Sequence, residues 1–348
     1  MFFSLSVTSS QLLGIQNATN PVICSISAAN WTFTVVPVYV MAIAVVGIVL
    51  NFFVLMVFTL HKKACTVAEI YLSNLAAADL LLVSFLPFWA VNVYRYYNWT
   101  FGVVLCKTVN VSILMNVYCS IFFLVLVSID RYFALVFPLS HGKLRGTVCA
   151  KVACFLVWVA GFLLSLPALI HREIRTMPGS NSTFCGLNPA STTTLIDCMI
   201  FVFGFVIPIS IIAFCTFKIL KALRNRIAEG LNAQKKDHKA TTLVLAVLLA
   251  FLFCWVPFYL NKIPTVLRDK DILTDCTSQY ILHISGNIFT YLAFFNSVLN
   301  PILYVIVGKN FRKKAKDLFT RRKDNLNPTL SRSSIHTKCS EPFFFNDL

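Results

Sequence analysis

Charge is scarce in this chain. Asp, Glu, Lys and Arg make up 13% of the 348 residues, about half the share of an ordinary soluble domain, so a charged, water-facing shell is excluded. Glycine and proline are few, and no ten-residue segments of alternating polarity occur, which argues against a membrane β-barrel. No HExxH or GxSxG occurs, and no paired aspartates lie inside an apolar run, so a membrane enzyme has nothing to work with. None of the 12 cysteines forms a CxxC pair or a Cys/His metal spacing. Internal repeats and broken helix pairs, the marks of a transporter, are missing. The last apolar run, Tyr280–Val307, holds no lysine that could carry a retinal Schiff base.

Long apolar runs are abundant, and 57% of the residues are hydrophobic. Runs near or above about 18 residues make lipid the solvent for most of the chain. In lipid each backbone N–H and C=O must be satisfied within its own segment, so the runs are helices. Seven follow: Val35–Leu60, Val67–Tyr94, Val103–Phe137, Val148–Ile170, Thr194–Arg226, Lys239–Leu267 and Tyr280–Val307. The fold class is an all-α membrane protein, a seven-transmembrane helix bundle with a short amphipathic eighth helix. Residues 1–34 precede the bundle, 35–307 form it, 308–322 form the juxtamembrane helix and 323–348 a polar tail expected to be disordered.

Orientation follows from the basic residues. Of the 30 Lys and Arg, only Arg95, Lys107, Arg172, Arg175, Lys262, Arg268 and Lys270 fall on the side shared with the N-terminus. The rest line the opposite side, which is therefore cytoplasmic. The net charge of +16 belongs to these loops and gives no nucleic-acid patch. Met1–Val7 is apolar but short and lacks a basic flank, so no cleaved signal peptide is expected. The sequons at Asn17, Asn30, Asn98 and Asn181 then lie outside as glycosylation acceptors. A further sequon at Asn110 falls inside the third span and is discounted. Along Lys309–Arg322, Phe311, Leu318 and Phe319 share one side, with Arg312, Lys313, Lys314 and Lys316 on the other, a pattern suited to anionic lipid. Tail hydroxyls from Thr329 to Ser340 could carry phosphate.

The third span sets the frame. Its 24 residues from Cys106 to Asp130 reach, at about 1.5 Å each, through an apolar layer of about 30 Å. A thiol thus stands at one face and Asp130-Arg131-Tyr132 at the other. That triplet reads as a charge pair that pins the helix end in one state and releases Arg131 in another. Charges inside spans are costly and mark function. Asp79 is the only carboxylate at mid-membrane. With Asn116, Ser120, Asn296, Ser297 and Asn300 it offers an anionic oxygen among neutral ones, a set that suits a small hard cation, Na⁺. Pro208, Pro257 and Pro301 interrupt spans 5, 6 and 7 and bend them. Four cysteines face outside: Cys24, Cys106, Cys185 and Cys276. Two bridges are expected in an oxidising compartment, in one of three connectivities.

Taken in span order, Asn51, Asp79, Asp130-Arg131-Tyr132, Trp158, Pro208, Cys254-Trp255-Val256-Pro257 and Asn300-Pro301-Ile302-Leu303-Tyr304 resemble the rhodopsin-like G-protein-coupled receptors over residues 35–322. Thr66–Leu80, Leu86–Ala90, Asn98–Gly102, Leu126–Tyr132 and Tyr304–Gly308 are more closely similar to the bradykinin (kinin) receptors. The resemblance implies bridges Cys106–Cys185 and Cys24–Cys276, an arrangement that angiotensin and chemokine receptors share. It implies an outward-facing peptide pocket bounded by Trp89, Asn110, Arg172, Trp255, Phe258, His283 and Thr290. Arg172 stands where kinin receptors meet a peptide carboxylate. Thr265 and His283 stand where those receptors carry acidic residues for a cationic peptide N-terminus; Asp269, Asp271 and Asp275 are nearby alternatives. The implied switch residues are Asp130, Arg131, Tyr132, Pro257, Pro301 and Tyr304. The implied partners are a peptide, a heterotrimeric G protein of the Gq type acting through calcium, and receptor kinases and arrestin at the tail. Alternatives are a receptor for an angiotensin- or chemokine-type peptide, or a decoy that binds without signalling.

Overall fold

The computed structural model describes residues 31–61, 65–137, 146–176, 181–187, 191–228, 235–269 and 276–326. The helices are α1 (Trp31–Leu60), α2 (Val67–Tyr94), α3 (Gly102–Val136), α4 (Thr147–His171), α5 (Ser191–Phe201), α6 (Ile207–Ala228), α7 (Lys235–Asp269), α8 (Cys276–Ile306) and α9 (Lys309–Leu326). A π turn, Val202–Val206, joins α5 to α6, and the three pieces form the fifth span. Six of the described helical segments are long and apolar enough to cross a membrane, and Leu245–Asn261 in α7 is a shorter apolar run. The seven expected spans are therefore all present as helices. Two elements were not legible in the pattern: the π turn, and an antiparallel pair of strands, β1 (Arg172–Thr176) and β2 (Thr183–Leu187).

Helix α3 is the buried axis, with buried side chains from Cys106 to Leu135. Helices α1 and α4 turn large apolar residues outward, such as Val38, Phe52, Phe155 and Leu163. Water would punish that exposure; a bilayer does not. Small residues let the helices approach. A Cβ on Gly47 would stand 2.6 Å from Val83 Cγ1, so α1 lies against α2 only with glycine there. Two amides tie the spans together: Asn51 Nδ2 donates to the Ser297 carbonyl at 2.9 Å, and Trp158 Nε1 donates to Asn74 Oδ1 at 3.0 Å.

The start of α2 is a capping box. Glu69 N–H donates to Thr66 Oγ1, and Thr66 N–H donates to Glu69 Oε2 at 2.8 Å. The same Glu69 oxygen takes Lys314 Nζ of α9 at 2.9 Å. This corrects one expectation. Lys314 does not point toward lipid headgroups with Arg312, Lys313 and Lys316; its side chain is 12% exposed and turned inward. An inward carboxylate, invisible to helical periodicity, draws it there. Phe311 anchors α9 as expected, with ring centres 5.9 Å from Phe53 and 5.5 Å from Phe58. Arg312 Nη1 donates to the Ile306 carbonyl at 2.8 Å, satisfying a backbone acceptor left at the end of α8.

At the other end of the bundle the two strands form a roof. Cys106 and Cys185 are bridged, with Cα atoms 5.7 Å apart. The turn after α2 is sewn to β2. Trp99 N–H donates to the Thr183 carbonyl at 2.6 Å. Thr183 N–H donates to Asn98 Oδ1 at 3.0 Å, and Thr183 Oγ1 to the Trp99 carbonyl at 2.7 Å. Tyr96 and Tyr97 in that turn have φ of 55° and 63°, a backbone region that such residues enter at a cost.

Candidate functional site

Three layers of polar chemistry stack along α3. At the Cys106 end, Arg172 closes α4 and begins β1. Its side chain is buried at 3% exposure, and Nη1 donates to the Cys185 carbonyl at 3.2 Å. Burial pulls the guanidinium down from its ordinary value to about 9, so it remains a cation at neutral pH in a poorly solvated place. Such a cation is stabilised by an anionic partner. Beneath the same roof Asn110 Nδ2 donates to the Cys106 carbonyl at 2.7 Å and approaches Cys185 Sγ at 3.4 Å. Asn110 is buried in α3, as expected of a discounted sequon. Trp89, Trp255 and Phe258 are buried at 3–4% exposure, and Thr290 is half-buried. Trp255 packs edge-on to Phe258 at 5.9 Å.

The middle layer surrounds Asp79, which is fully buried. Asn116 Nδ2 donates to Asp79 Oδ1 at 2.9 Å and Asn300 Nδ2 to Asp79 Oδ2 at 2.8 Å. Asn116 Nδ2 also lies 3.1 Å from Ser120 Oγ. The Ser297 hydroxyl is buried and has no hydrogen-bond partner among the described residues. Asn296 Oδ1 and Asn300 Oδ1 are buried acceptors with no donor among the described residues. Unmet carbonyl oxygens beside a buried carboxylate, with hydroxyls at hand, are the donor set of a small hard cation. The residues present fit Na⁺.

At the far end, Arg131 is paired with Asp130 through Nε at 3.0 Å and through Nη2. Tyr132 packs against Phe214 of α6 at 5.9 Å. Tyr304 is buried and its ring lies 6.2 Å from Phe311, so the end of α8 packs on the foot of α9. Pro257 lies within α7 and Pro301 within α8. Proline also interrupts α1, α2 and α4, at Pro37, Pro87 and Pro167. Prolines inside helices are thus not confined to spans 5 to 7.

Sequence reasoning passed over the tyrosines. Tyr118 and Tyr259 are fully or nearly fully buried, and Tyr39 Oη donates to the Tyr291 carbonyl at 3.2 Å. An aromatic in an apolar span looks like packing, and only its partner shows that the hydroxyl is used. Asp197 was also missed; it lies half-buried in α5, near the end of a span rather than at its middle. Several site residues lie outside the described side chains: Cys24, Cys276, Thr265 and His283, the sequons at Asn17 and Asn30, and the tail.

Residues 50–304 match the family model described as "7 transmembrane receptor (rhodopsin family)". The chain is 43% identical over 294 residues to the B2 bradykinin receptor of Homo sapiens, covering 83% of this chain and 75% of that one. It is 45% identical over 273 residues to the B2 bradykinin receptor of Mus musculus, covering 77% and 70%. It is 36% identical over 312 residues to the B1 bradykinin receptor of Homo sapiens, covering 87% of each.

Proposed function

The chain belongs to the rhodopsin family of seven-transmembrane receptors, a family of receptors rather than enzymes, and from that premise we propose that it is a G-protein-coupled receptor for a kinin-type peptide that signals through a Gq-type protein to phospholipase C and calcium. The carrying observation is the buried Arg172 under the disulfide-tied roof, in a chain 43% identical to a bradykinin receptor. A desolvated cation, with Trp89, Asn110, Trp255, Phe258 and Thr290 as the residues that would line the pocket, suits a peptide with a free C-terminal carboxylate.

In this reading the Cys106 end and residues 1–34 are extracellular. Asn17, Asn30, Asn98 and Asn181 carry glycans, and Cys24–Cys276 forms a second bridge. Binding outside favours the arrangement in which span 6 swings about Pro257, Arg131 leaves Asp130, and a heterotrimeric G protein enters below. Pro301 and Tyr304 let span 7 follow. The ligand shifts a population and does so only by its differential affinity for the two arrangements. Asp79, Asn116, Ser120, Asn296, Ser297 and Asn300 would hold a Na⁺, whose positive charge would stabilise the resting one. The tail beyond residue 322 offers hydroxyls to receptor kinases and arrestin. A second reading, a receptor for an angiotensin- or chemokine-type peptide, is favoured by Thr265 and His283, which depart from the acidic pair of kinin receptors.

The test is a panel of kinin, angiotensin and chemokine ligands on transfected cells, with calcium and inositol phosphate readouts. A kinin response that weakens in Arg172→Ala at equal surface expression supports the proposal. Flat responses to every kinin, with a response to another class, select the second reading.

A further inference from the structure

One backbone carbonyl in span 5 is served by a side chain from span 6. Pro208 stands four residues after Gly204, so the N–H that would ordinarily close the helix onto the Gly204 carbonyl does not exist. The chain widens there into the π turn Val202–Val206, and Ile207 N–H donates to the Val202 carbonyl. The Gly204 carbonyl instead accepts from Tyr259 Oη of α7 at 3.2 Å. Both residues are buried, Tyr259 at 2% exposure. No water competes for this carbonyl at membrane depth, so a side-chain donor to it matters.

The surroundings are shaped to keep the bond. A Cβ on Gly204 would stand 2.9 Å from Tyr259 Oη and 3.5 Å from Val117 Cγ1 of α3. Glycine therefore lets three spans meet at one point. The Tyr259 ring is stacked on Phe205 with centres 4.4 Å apart and planes 28° apart. Trp255 lies 6.1 Å away on the same helix. Tyr259 is two residues beyond Pro257, on the Cys106 side of the bend. A bond from this position to span 5 fixes the segment against which span 6 must pivot. In the same structure Arg131 is still paired with Asp130.

We propose that the Tyr259–Gly204 hydrogen bond is a latch between spans 5 and 6 that holds the resting arrangement and opens when the bundle switches. Tyr259 is a positioning residue: it acts through the Pro257 bend. The inference rests on the chain being a switching receptor of this family, not on which peptide it binds.

The experiment is a distance measurement on the full-length chain in lipid nanodiscs, without ligand or G protein. Spin labels go on exposed Asn225 of α6 and Thr242 of α7, with the exposed Cys149 and Cys198 replaced. Tyr259→Phe removes only the hydroxyl. It is expected to enlarge the longer-distance population roughly three- to tenfold, the range one interhelical hydrogen bond in a membrane supports. Gly204→Ala displaces the same hydroxyl and should give the same shift, with no further change in the double variant. If Gly204→Ala fails to reach the membrane, Tyr259→Phe decides alone. A Tyr259→Phe distribution superimposable on the wild type, or fully additive effects, overturns the latch. Basal nucleotide exchange on added G proteins is read in parallel. Shifted distances with no exchange from any G protein would contradict the G-protein coupling proposed above and leave the latch standing.

Discussion

Asn300 donates to one oxygen of Asp79 at 2.8 Å while Asn116 donates to the other at 2.9 Å, so one carboxylate holds span 7 and span 3 together. A bound cation would have to share these oxygens with the amides, and charge at Asp79 is what it would bind. Asp79→Asn keeps the shape and removes the charge. We expect agonist affinity in the wild type to fall when choline is replaced by Na⁺, and the variant to show no such difference. Competition binding in the two salts checks it. An equal Na⁺ effect in both proteins would remove Asp79 from the cation site.

Arg172 gives a prediction with a pH signature. Its charge should meet a ligand carboxylate, so Arg172→Gln is expected to cost about 2–3 kcal/mol of affinity, roughly 30- to 150-fold. A C-terminally amidated peptide should lose far less. The sign of the pH effect follows from burial, which lowers the guanidinium to about 9. The cationic form predominates below that value, so affinity for the free acid is flat at neutral pH. It falls as pH rises through about 9, since only the charged form attracts the carboxylate. Radioligand competition across pH, with acid and amide peptides side by side, measures both effects.

Much of the bundle was legible because lipid leaves the backbone few choices. An apolar run of sufficient length becomes a helix, and Asp79, Arg131 and Pro257 stand out where polar or helix-breaking residues are rare. The pairing of Lys314 was not legible. Periodicity places it among the basic residues of α9, and nothing local reveals that Glu69, 245 positions away, faces it. The β1–β2 roof was hidden for a similar reason: a five-residue strand held by a distant cysteine and by Trp99 carries little periodic signal. The π turn could be suspected from Pro208, but its relief by Tyr259 could not.

The Lys314–Glu69 pair, with side chains 12% and 10% exposed, should fasten α9 to the start of α2. Glu69→Gln retains an acceptor for the capping box and removes the ion pair. We expect a loss of about 1–2 kcal/mol, less than for a fully buried pair because some solvent reaches it. Thermal unfolding in detergent at low and high salt tests the pair. A wild-type midpoint in Glu69→Gln would show that the ion pair does not fasten α9.

Asp130→Asn is expected to raise ligand-independent nucleotide exchange severalfold. The neutral amide no longer holds Arg131 in the contact now seen through its Nε and Nη2. Basal exchange on membranes of matched receptor content reads this directly. Unchanged basal exchange would mean that the pair does not restrain the switch.

Under the proposed function, peptide binding around Arg172 and G-protein binding at the Arg131 end are two faces of one equilibrium. Linkage makes the effect reciprocal: if a peptide promotes G-protein binding, the G protein must tighten peptide binding by the same factor. The most direct measurement is the affinity of labelled bradykinin on membranes, with and without purified heterotrimer. The account predicts tighter binding with the heterotrimer, by about tenfold, reversed by a non-hydrolysable GTP analogue and lost in Arg131→Ala. A measurable affinity that is identical with and without G protein would contradict it.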